Sequence, residues 1–352
     1  MTPGRKIISP LARINSVEFP LCASVFSVPG TAKTTDGKYV RKFLKITLMV
    51  AAGFVALVVA TLATTSIVNV VAGNSEAEKI EPYGRLVPVD GKKMNVVVKG
   101  DAAETVVLLP GFGTAAPSLD FKPLVAELLP RYKVVVVEPF GYGLSDQTDK
   151  PRTTGNITSE VHEALAGLNI DRYVLMGHSI AGIYALDYAN KYRAEVQAFV
   201  GIDSSVPNQP GMDDKLPIGA MKAAKALGLT RVLVSLAGDP YAGLPYDEAT
   251  KEQMRFLSLK NTSTATYSNE MEHFAANFTA GRSQSFPHDL PVLEFVQAAN
   301  HDVEGWIPLH EQQVASVDRG EMVTLDATHY LHHTKSKEIA ENLNRFMADV
   351  KQ

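Results

Sequence analysis

Cysteine is almost missing from this chain. Its 352 residues include one cysteine, Cys22, so no disulfide can form within the chain. This lack does not by itself exclude a location outside the cytoplasm. The chain also has no excess of positive charge, since its formal net charge is −4. We therefore do not expect nucleic acid as a partner. With 45% hydrophobic residues, the chain can bury one large core or two modest ones.

Charged residues are absent from Ile46 to Val71, a run that is longer than the roughly 20 residues needed to cross a bilayer as a helix. Acidic residues follow the run, and basic residues precede it: Lys38, Arg41, Lys42 and Lys45. The positive-inside rule then places the N-terminus in the cytoplasm and the rest of the chain outside. We predict a disordered cytoplasmic tail over residues 1–45 and a transmembrane helix or signal anchor over residues 46–72. The alternative is a signal peptide cleaved near Ala72, which would release a secreted protein.

Short apolar strands alternate with helical patterns over residues 80–352. The runs Val106–Leu109 and Val134–Val137 are apolar throughout, as is typical of strands covered on both faces. This alternation predicts an α/β fold with a mostly parallel sheet and helices on both faces. The interval 207–287 has no apolar strand pattern and is too long for a loop. We predict a helical cap there, inserted between the sixth and seventh strands over the edge where open α/β sheets bind ligands.

The segment from Tyr173 to Gly182 joins a strand pattern to a helical pattern at a serine. Gly177 and Ala181 are small residues placed two positions before and two positions after Ser179. A sharp strand-to-helix turn needs small residues at these places, and it raises the serine hydroxyl clear of the sheet. Ser179 is therefore the predicted nucleophile. The prediction requires a base, an acid and an oxyanion site elsewhere in the chain.

Four motifs together resemble the α/β-hydrolase superfamily, and the resemblance covers about residues 80–352. The motifs are Leu109-Pro110-Gly111-Phe112-Gly113, the segment from Glu138 to Asp146, the turn around the serine, and Ala327-Thr328-His329. The resemblance implies that His329, between the last strand and the last helix, is the base that activates Ser179. It also implies an oxyanion hole formed by the backbone N–H groups of Ile180 and Phe112.

The acid that orients the histidine has two candidates. The common position in the family, after the seventh strand, falls on Asn300, which cannot carry the charge, and Asp302 follows two residues later. Asp203, at the end of the sixth strand, is the other candidate, because some haloalkane dehalogenases of the superfamily use an acid there. Both candidates give the chain order serine, acid, histidine. We favour Asp203 and keep Asp302 as the alternative.

Two more histidines, His332 and His333, follow His329 closely in the sequence. They could belong to a metal site, but no acidic or cysteine partner near them completes one. We therefore predict no metal and no other cofactor.

Taken together, these predictions describe a membrane-anchored serine hydrolase that cleaves a small-molecule or lipid-like carboxylic ester through an acyl-enzyme. The choice of an ester rests on analogy with the family. The serine argues against dehalogenase and epoxide-hydrolase chemistry, for which the family uses an aspartate. One alternative is an aminopeptidase similar to proline iminopeptidase, in which acidic residues of the cap receive the substrate amine: Asp213, Asp214, Asp247 and Glu248. The other is a catalytically inactive fold that binds a ligand.

Overall fold

A computed structural model describes residues 36–351, and the chain divides into two compact units at Leu57 and Val58. Part of a long helix, α1 (Asp36–Ala77), belongs to the first unit, and its remainder belongs to the second. The length and apolar composition of this helix make it a candidate membrane span. It begins ten residues before the predicted start, so residues 36–45 are helical and not a disordered tail. The rest of the predicted tail, residues 1–35, lies outside the described residues.

Eight strands form one sheet in the second unit: β1 (Arg85–Val89), β2 (Lys92–Lys99), β3 (Glu104–Leu109), β4 (Tyr132–Glu138), β5 (Tyr173–His178), β6 (Val196–Ile202), β7 (Val292–Gln297) and β8 (Gly320–Leu325). Their order across the sheet is β1-β2-β4-β3-β5-β6-β7-β8. The pairs β1–β2 and β2–β4 are antiparallel, and every other pair is parallel. The predicted mostly parallel sheet is thus confirmed.

Further helices in the described residues connect and cover these strands: α2 (Pro117–Asp120), α3 (Lys122–Leu128), α4 (Thr154–Ala166), α5 (Ala181–Lys191), α6 (Ile218–Ala226), α7 (Leu229–Ala237), α8 (Glu248–Asn261), α9 (Ala265–Gly281), α10 (Trp306–Val314), α11 (Leu331–Thr334) and α12 (Ser336–Val350). Apart from α6 to α9, these helices lie on the two faces of the sheet because parallel neighbouring strands need crossover connections.

The core consists of two apolar layers, one on each face of the sheet. Successive side chains of a strand point to opposite faces. Val107 and Val135 therefore pack in the layer that contains α4 and α5, whereas Val106 and Val134 pack in the layer that contains α3 and α12. Because both faces of β3 and β4 are covered, each strand contains four consecutive apolar residues.

Helices α6 to α9 form the cap, and they lie between β6 and β7 as predicted. Helix α9 is tied to the loop after β4 by several hydrogen bonds, and backbone N–H groups of the loop donate two of them. The Thr148 N–H donates to Thr266 Oγ1 at 2.8 Å, and the Arg152 N–H donates to Asn269 Oδ1 at 2.7 Å. These bonds hold α9 against a loop at the carboxyl edge of the sheet.

Candidate active site

Ser179 lies in the turn between β5 and α5. Its φ angle is 54°, a left-handed value that residues with side chains rarely adopt. The Ser205 N–H donates to the Ser179 carbonyl at 2.7 Å, and the Ser179 N–H donates to the Ile202 carbonyl at 3.3 Å. These bonds hold the strained turn in place, and Ser179 stays partly exposed between two buried residues, His178 and Ile180.

The loop after β3 passes close to this serine. A Cβ atom on Gly111 would lie 2.8 Å from the Ser179 Cβ and 2.6 Å from His178 Nδ1, so glycine is required at this close approach. Phe112 follows it in the loop, and Ile180 follows the serine. Within the described part of the chain, the backbone N–H groups of Phe112 and Ile180 donate no hydrogen bond. Both groups are therefore free to donate to a substrate oxygen.

The cap contributes apolar surface beside these N–H groups. The Phe112 ring lies 4.3 Å from the ring of Tyr267 and 4.7 Å from that of Phe274, between ring centroids, and both partners belong to α9. Ile180 belongs to the same apolar cluster, together with Phe278 of α9. An alkyl or acyl group near the serine would thus meet apolar side chains.

His329 follows β8, and its ring is held by Asp203. The distance from His329 Nδ1 to Asp203 Oδ2 is 2.6 Å, and Asp203 is fully buried at the end of β6. The other carboxylate oxygen of Asp203 accepts hydrogen bonds from the Gln297 N–H and from Trp306 Nε1, both at 2.8 Å. Since Nδ1 is engaged, Nε2 is the nitrogen available for proton transfer. Within the described contacts, Nε2 forms no hydrogen bond with Ser179, and such bonds often tighten only when substrate binds.

Asp302, the alternative acid, forms no described hydrogen bond with His329. It is exposed in the loop after β7, where its own N–H donates to Asn300 Oδ1 at 2.9 Å. The Val303 N–H donates to the same oxygen at 3.0 Å, so Asn300 closes a turn of the loop. The structure thus pairs His329 with Asp203 and not with Asp302, because β6 ends beside the histidine while Asp302 remains in an exposed turn.

A second buried carboxyl group lies behind Asp203. Glu294 on β7 is fully buried, and Ser204 Oγ donates to its Oε2 at 2.9 Å. Burial raises the pKa of Glu294 to about 8, against the hydrogen bond from Ser204 and assisted by the charge of Asp203. At neutral pH Glu294 is therefore mostly protonated and adds little negative charge beside Asp203.

His332 and His333 meet an acidic partner in the folded chain. The Asp120 carboxylate lies 2.6 Å from His332 Nε2 and 2.9 Å from His333 Nε2. The expectation that these histidines have no acidic partner is therefore wrong, because the partner comes from 212 positions earlier in the chain. Their ligand atoms lie within 4.8 Å of one another, a spacing that can hold a metal ion. Although burial raises the pKa of Asp120, the two imidazoles hold it well below its usual range.

A cavity of about 370 Å³ lies beside the loops that carry Phe112 and His329. Gly113 and Thr328, the neighbours of these two residues in sequence, are part of its lining, and so are Asp120 and His333. The cavity is large enough for a small ligand or for part of a larger one. Its position makes it a candidate substrate cavity.

Glu294 and Asp120 were not predicted as site residues, and the contact of Trp306 with Asp203 was not predicted either. Their partners lie 90, 212 and 103 positions away in sequence, so no local spacing marks these contacts. Glu294 offers one signal that could have revealed it. It is a charged residue inside an otherwise apolar strand, and such residues are rarely buried without a partner.

Known proteins resemble this chain in sequence and in structure. The chain is 26% identical over 322 residues to the uncharacterized protein YbdG of Bacillus subtilis strain 168, and the match covers 87% of this chain and 98% of that protein. It is 37% identical over 105 residues to the putative carbamate hydrolase RutD of Pantoea ananatis, which covers 29% of this chain and 36% of RutD. The enol-lactonase from Burkholderia xenovorans LB400 is 16% identical, with a TM-score of 0.56 over 75% of this chain and all of that chain, and this likeness shows the fold.

The profile of the alpha/beta hydrolase family matches residues 106–342. The match runs from β3 into the last helix, α12, and so includes the serine turn and the loop of His329. The sheet order, the cap and this match agree, and the chain belongs to the alpha/beta hydrolase family.

Proposed function

We propose that this hydrolase is a membrane-anchored serine esterase that cleaves a carboxylic ester through an acyl-enzyme. The observation that carries the proposal is the 2.6 Å contact between Asp203 and His329, found in a chain whose serine occupies a strained strand-to-helix turn. A buried, hydrogen-bonded carboxylate on Nδ1 is what a histidine needs to act as a base through Nε2.

In the proposed reaction, His329 Nε2 takes the proton of the Ser179 hydroxyl while Oγ attacks the ester carbonyl carbon. The carbonyl oxygen becomes negative and accepts hydrogen bonds from the N–H groups of Phe112 and Ile180. The protonated histidine then gives its proton to the leaving alkoxide, and an acyl-serine remains. Water, activated by the same nitrogen, releases the carboxylic acid. Asp203 stabilises the imidazolium throughout.

Membrane anchoring by α1 is supported by contacts between the C-terminal part of this helix and the cap. Asn69 and Glu76 both bond to Arg231 of the cap, and cleavage near Ala72 would separate them. The sequence match to YbdG covers a larger share of the chain than the part that follows α1, so the similarity extends into this helix. Both observations favour an uncleaved anchor over a secreted product. The positive-inside rule orients it with the hydrolase domain outside the cytoplasm.

The aminopeptidase alternative receives no comparable support. Asp213 pairs with Arg282, Asp247 caps α8 and pairs with Lys122, and Glu248 pairs with Lys251. Asp213, Asp247 and Glu248 therefore each have a basic partner within the protein that a substrate amine would have to displace. A catalytically inactive binding module would not require a buried carboxylate in contact with His329, whereas the esterase does.

Purified full-length protein in detergent tests the proposal. We expect hydrolysis of short acyl esters, with little or no cleavage of aminoacyl amides, and loss of activity in Ser179→Ala. Cleavage of aminoacyl amides in preference to esters would support the aminopeptidase instead. Ester hydrolysis that persists unchanged in Ser179→Ala would refute the mechanism.

A further inference from the structure

Helix α7 of the cap has an apolar surface that the described protein leaves uncovered. None of its residues is buried, and Val232, Leu233 and Leu236 are 40%, 64% and 79% exposed. Leu236 is the most exposed large apolar side chain of the described residues. A helix that faced water would carry polar side chains at these positions, so this surface indicates contact with another apolar phase.

The turn before α7 is attached to α1. Three side chains of α1 cap the last carbonyl groups of α6: Thr65 Oγ1 donates to Leu227 O at 2.7 Å, Ser66 Oγ to Ala226 O at 3.0 Å, and Asn69 Nδ2 to Lys225 O at 3.2 Å. Gly228, with a φ angle of 73°, lies so close to the Thr65 backbone that a Cβ atom would collide with it. These contacts explain why polar residues interrupt the apolar run here.

An ion pair continues this attachment beyond the turn. Arg231 of α7 donates to both carboxylate oxygens of Glu76, at 2.7 and 2.9 Å, and both side chains are 14% exposed. A mostly buried bidentate pair of this kind fixes geometry better than a single exposed contact does. The start of α7 is thus held to the C-terminal part of α1 both by the hydrogen bonds at the preceding turn and by this ion pair.

The position of Thr65 along α1 places this attachment at a membrane surface. The uncharged run begins at Ile46, and about 20 helical residues cross the hydrocarbon core of a bilayer. Counted from Ile46, that length ends at Thr65. The turn between α6 and α7 therefore meets α1 where it leaves the hydrocarbon, and the apolar residues of α7 follow this turn directly.

Two adjoining cavities extend from α7 to the loops that carry Phe112 and His329. One, of about 840 Å³, lies between α7 and α8 and is lined by Val234 and Ser235 among others. It shares Pro240, Tyr241 and Ser258 with the cavity beside the Phe112 and His329 loops. A ligand that entered beside α7 would thus have adjoining space up to Gly113 and Thr328, the sequence neighbours of Phe112 and His329.

We propose that α7 lies in the interfacial layer of the bilayer, with Val232, Leu233 and Leu236 among the lipid chains, and that an amphiphilic lipid ester enters from this surface. The proposal rests on the proposed membrane anchor and ester hydrolysis. It adds the surface through which substrate arrives. Helices in this layer bury their apolar face about 5–10 Å below the headgroups.

Depth-dependent quenching tests the surface directly. The full-length protein with Cys22→Ser and Leu236→Cys is labelled with an environment-sensitive fluorophore and reconstituted in phosphatidylcholine vesicles. Val98→Cys on β2, an apolar residue that is 39% exposed, is the matched control. We expect a blue-shifted probe at position 236 that is quenched by spin-labelled lipid and protected from iodide, with the opposite result at position 98. Iodide quenching at both positions, or protection of position 236 from both quenchers, would overturn the proposal.

A charged variant tests the route of the substrate. Replacing Leu233 and Leu236 together by glutamate should lower hydrolysis of a bilayer-embedded ester by about tenfold or more, because two apolar side chains lose their lipid contact. Hydrolysis of a water-soluble short ester should stay unchanged, and Val98→Glu should affect neither substrate. Equal rates of the double variant and the wild type on the embedded ester would contradict the proposed route.

Labelling of Ser179 by a fluorophosphonate in the same vesicles distinguishes failure of the proposed esterase from failure of the proposed lipid contact at α7. Labelling without lipid contact at α7 would refute this inference and leave the esterase standing. Lipid contact without labelling would refute the esterase and leave the surface standing.

Discussion

Replacing Asp203 by asparagine changes the charge of the site while it keeps the shape of the side chain. In the wild type, one carboxylate oxygen bonds to His329 Nδ1 at 2.6 Å, and the other accepts from the Gln297 N–H and Trp306 Nε1 at 2.8 Å. The asparagine side-chain oxygen would still accept hydrogen bonds from the Gln297 N–H and Trp306 Nε1. Its amide NH₂ would then face Nδ1 and donate to it.

This reversal places the histidine proton on the wrong nitrogen. With Nδ1 as acceptor, the neutral ring carries its proton on Nε2, which then cannot take the proton of Ser179. The imidazolium also loses the charge of its neighbour. Loss of both effects should lower kcat by about 10⁴-fold, which corresponds to about 5.5 kcal/mol of activation free energy. KM should change little, because Asp203 is buried and contacts no substrate in this scheme.

Steady-state hydrolysis of a short acyl ester measures the effect, and Asp302→Asn is the matched control. We expect the control to retain wild-type kcat, because Asp302 is exposed and the described hydrogen bond of the His329 ring goes to Asp203. Circular dichroism and thermal unfolding would establish that both variants fold. A mild and equal loss in the two variants would refute the assignment of the acid, and a larger loss in Asp302→Asn would reverse it.

Three further changes probe the surroundings of the serine. Trp306→Phe removes one donor to the Asp203 carboxylate and should lower kcat by about tenfold in steady-state assays, with KM unchanged. Gly111→Ala places a Cβ atom 2.8 Å from the Ser179 Cβ, so the oxyanion loop must shift and kcat should fall by about 10²-fold or more in the same assay. Glu294→Gln should become more stable relative to the wild type as pH rises. In the wild type, the folded-state pKa of about 8 lies above the ordinary glutamate pKa of 4.5. Between these two pH values unfolding releases a proton, so the free energy of unfolding falls by about 1.4 kcal/mol per pH unit as pH rises.

Each of these predictions has an outcome that would contradict it. Gly219→Ala, at a helical position with no atom within 4 Å of the added Cβ, is the control for Gly111→Ala, and an equal loss in both would show a nonspecific effect. For Trp306→Phe, a changed KM with unchanged kcat would argue against action through Asp203. For Glu294→Gln, chemical denaturation from pH 5 to pH 8 should show a growing stability difference, and a constant difference would contradict the raised pKa.

The sheet and the serine turn were accessible from sequence because their signals are local. Buried strands such as β3 and β4 contain uninterrupted runs of apolar residues. The turn at Ser179 needs small residues at fixed neighbouring positions. These signals involve residues that lie within about ten positions of one another, so they can be recognised from the sequence alone.

Contacts between distant residues could not be predicted in the same way. The choice between Asp203 and Asp302 depends on which strand end lies beside His329, and that depends on how β6, β7 and β8 assemble. The Asp120 partner of His332 lies 212 positions earlier in the chain, so the sequence near the histidines does not indicate it.

Labelling by a fluorophosphonate, followed by mass spectrometry of the modified peptide, tests the central claim most directly. The reagent reacts with a serine that a neighbouring base activates, so the account predicts one modified residue, Ser179, in the folded full-length protein. Ser179→Ala should stay unlabelled, and His329→Ala should be labelled far more slowly. Absence of labelling in folded wild-type protein, or equal labelling in Ser179→Ala, would contradict the account.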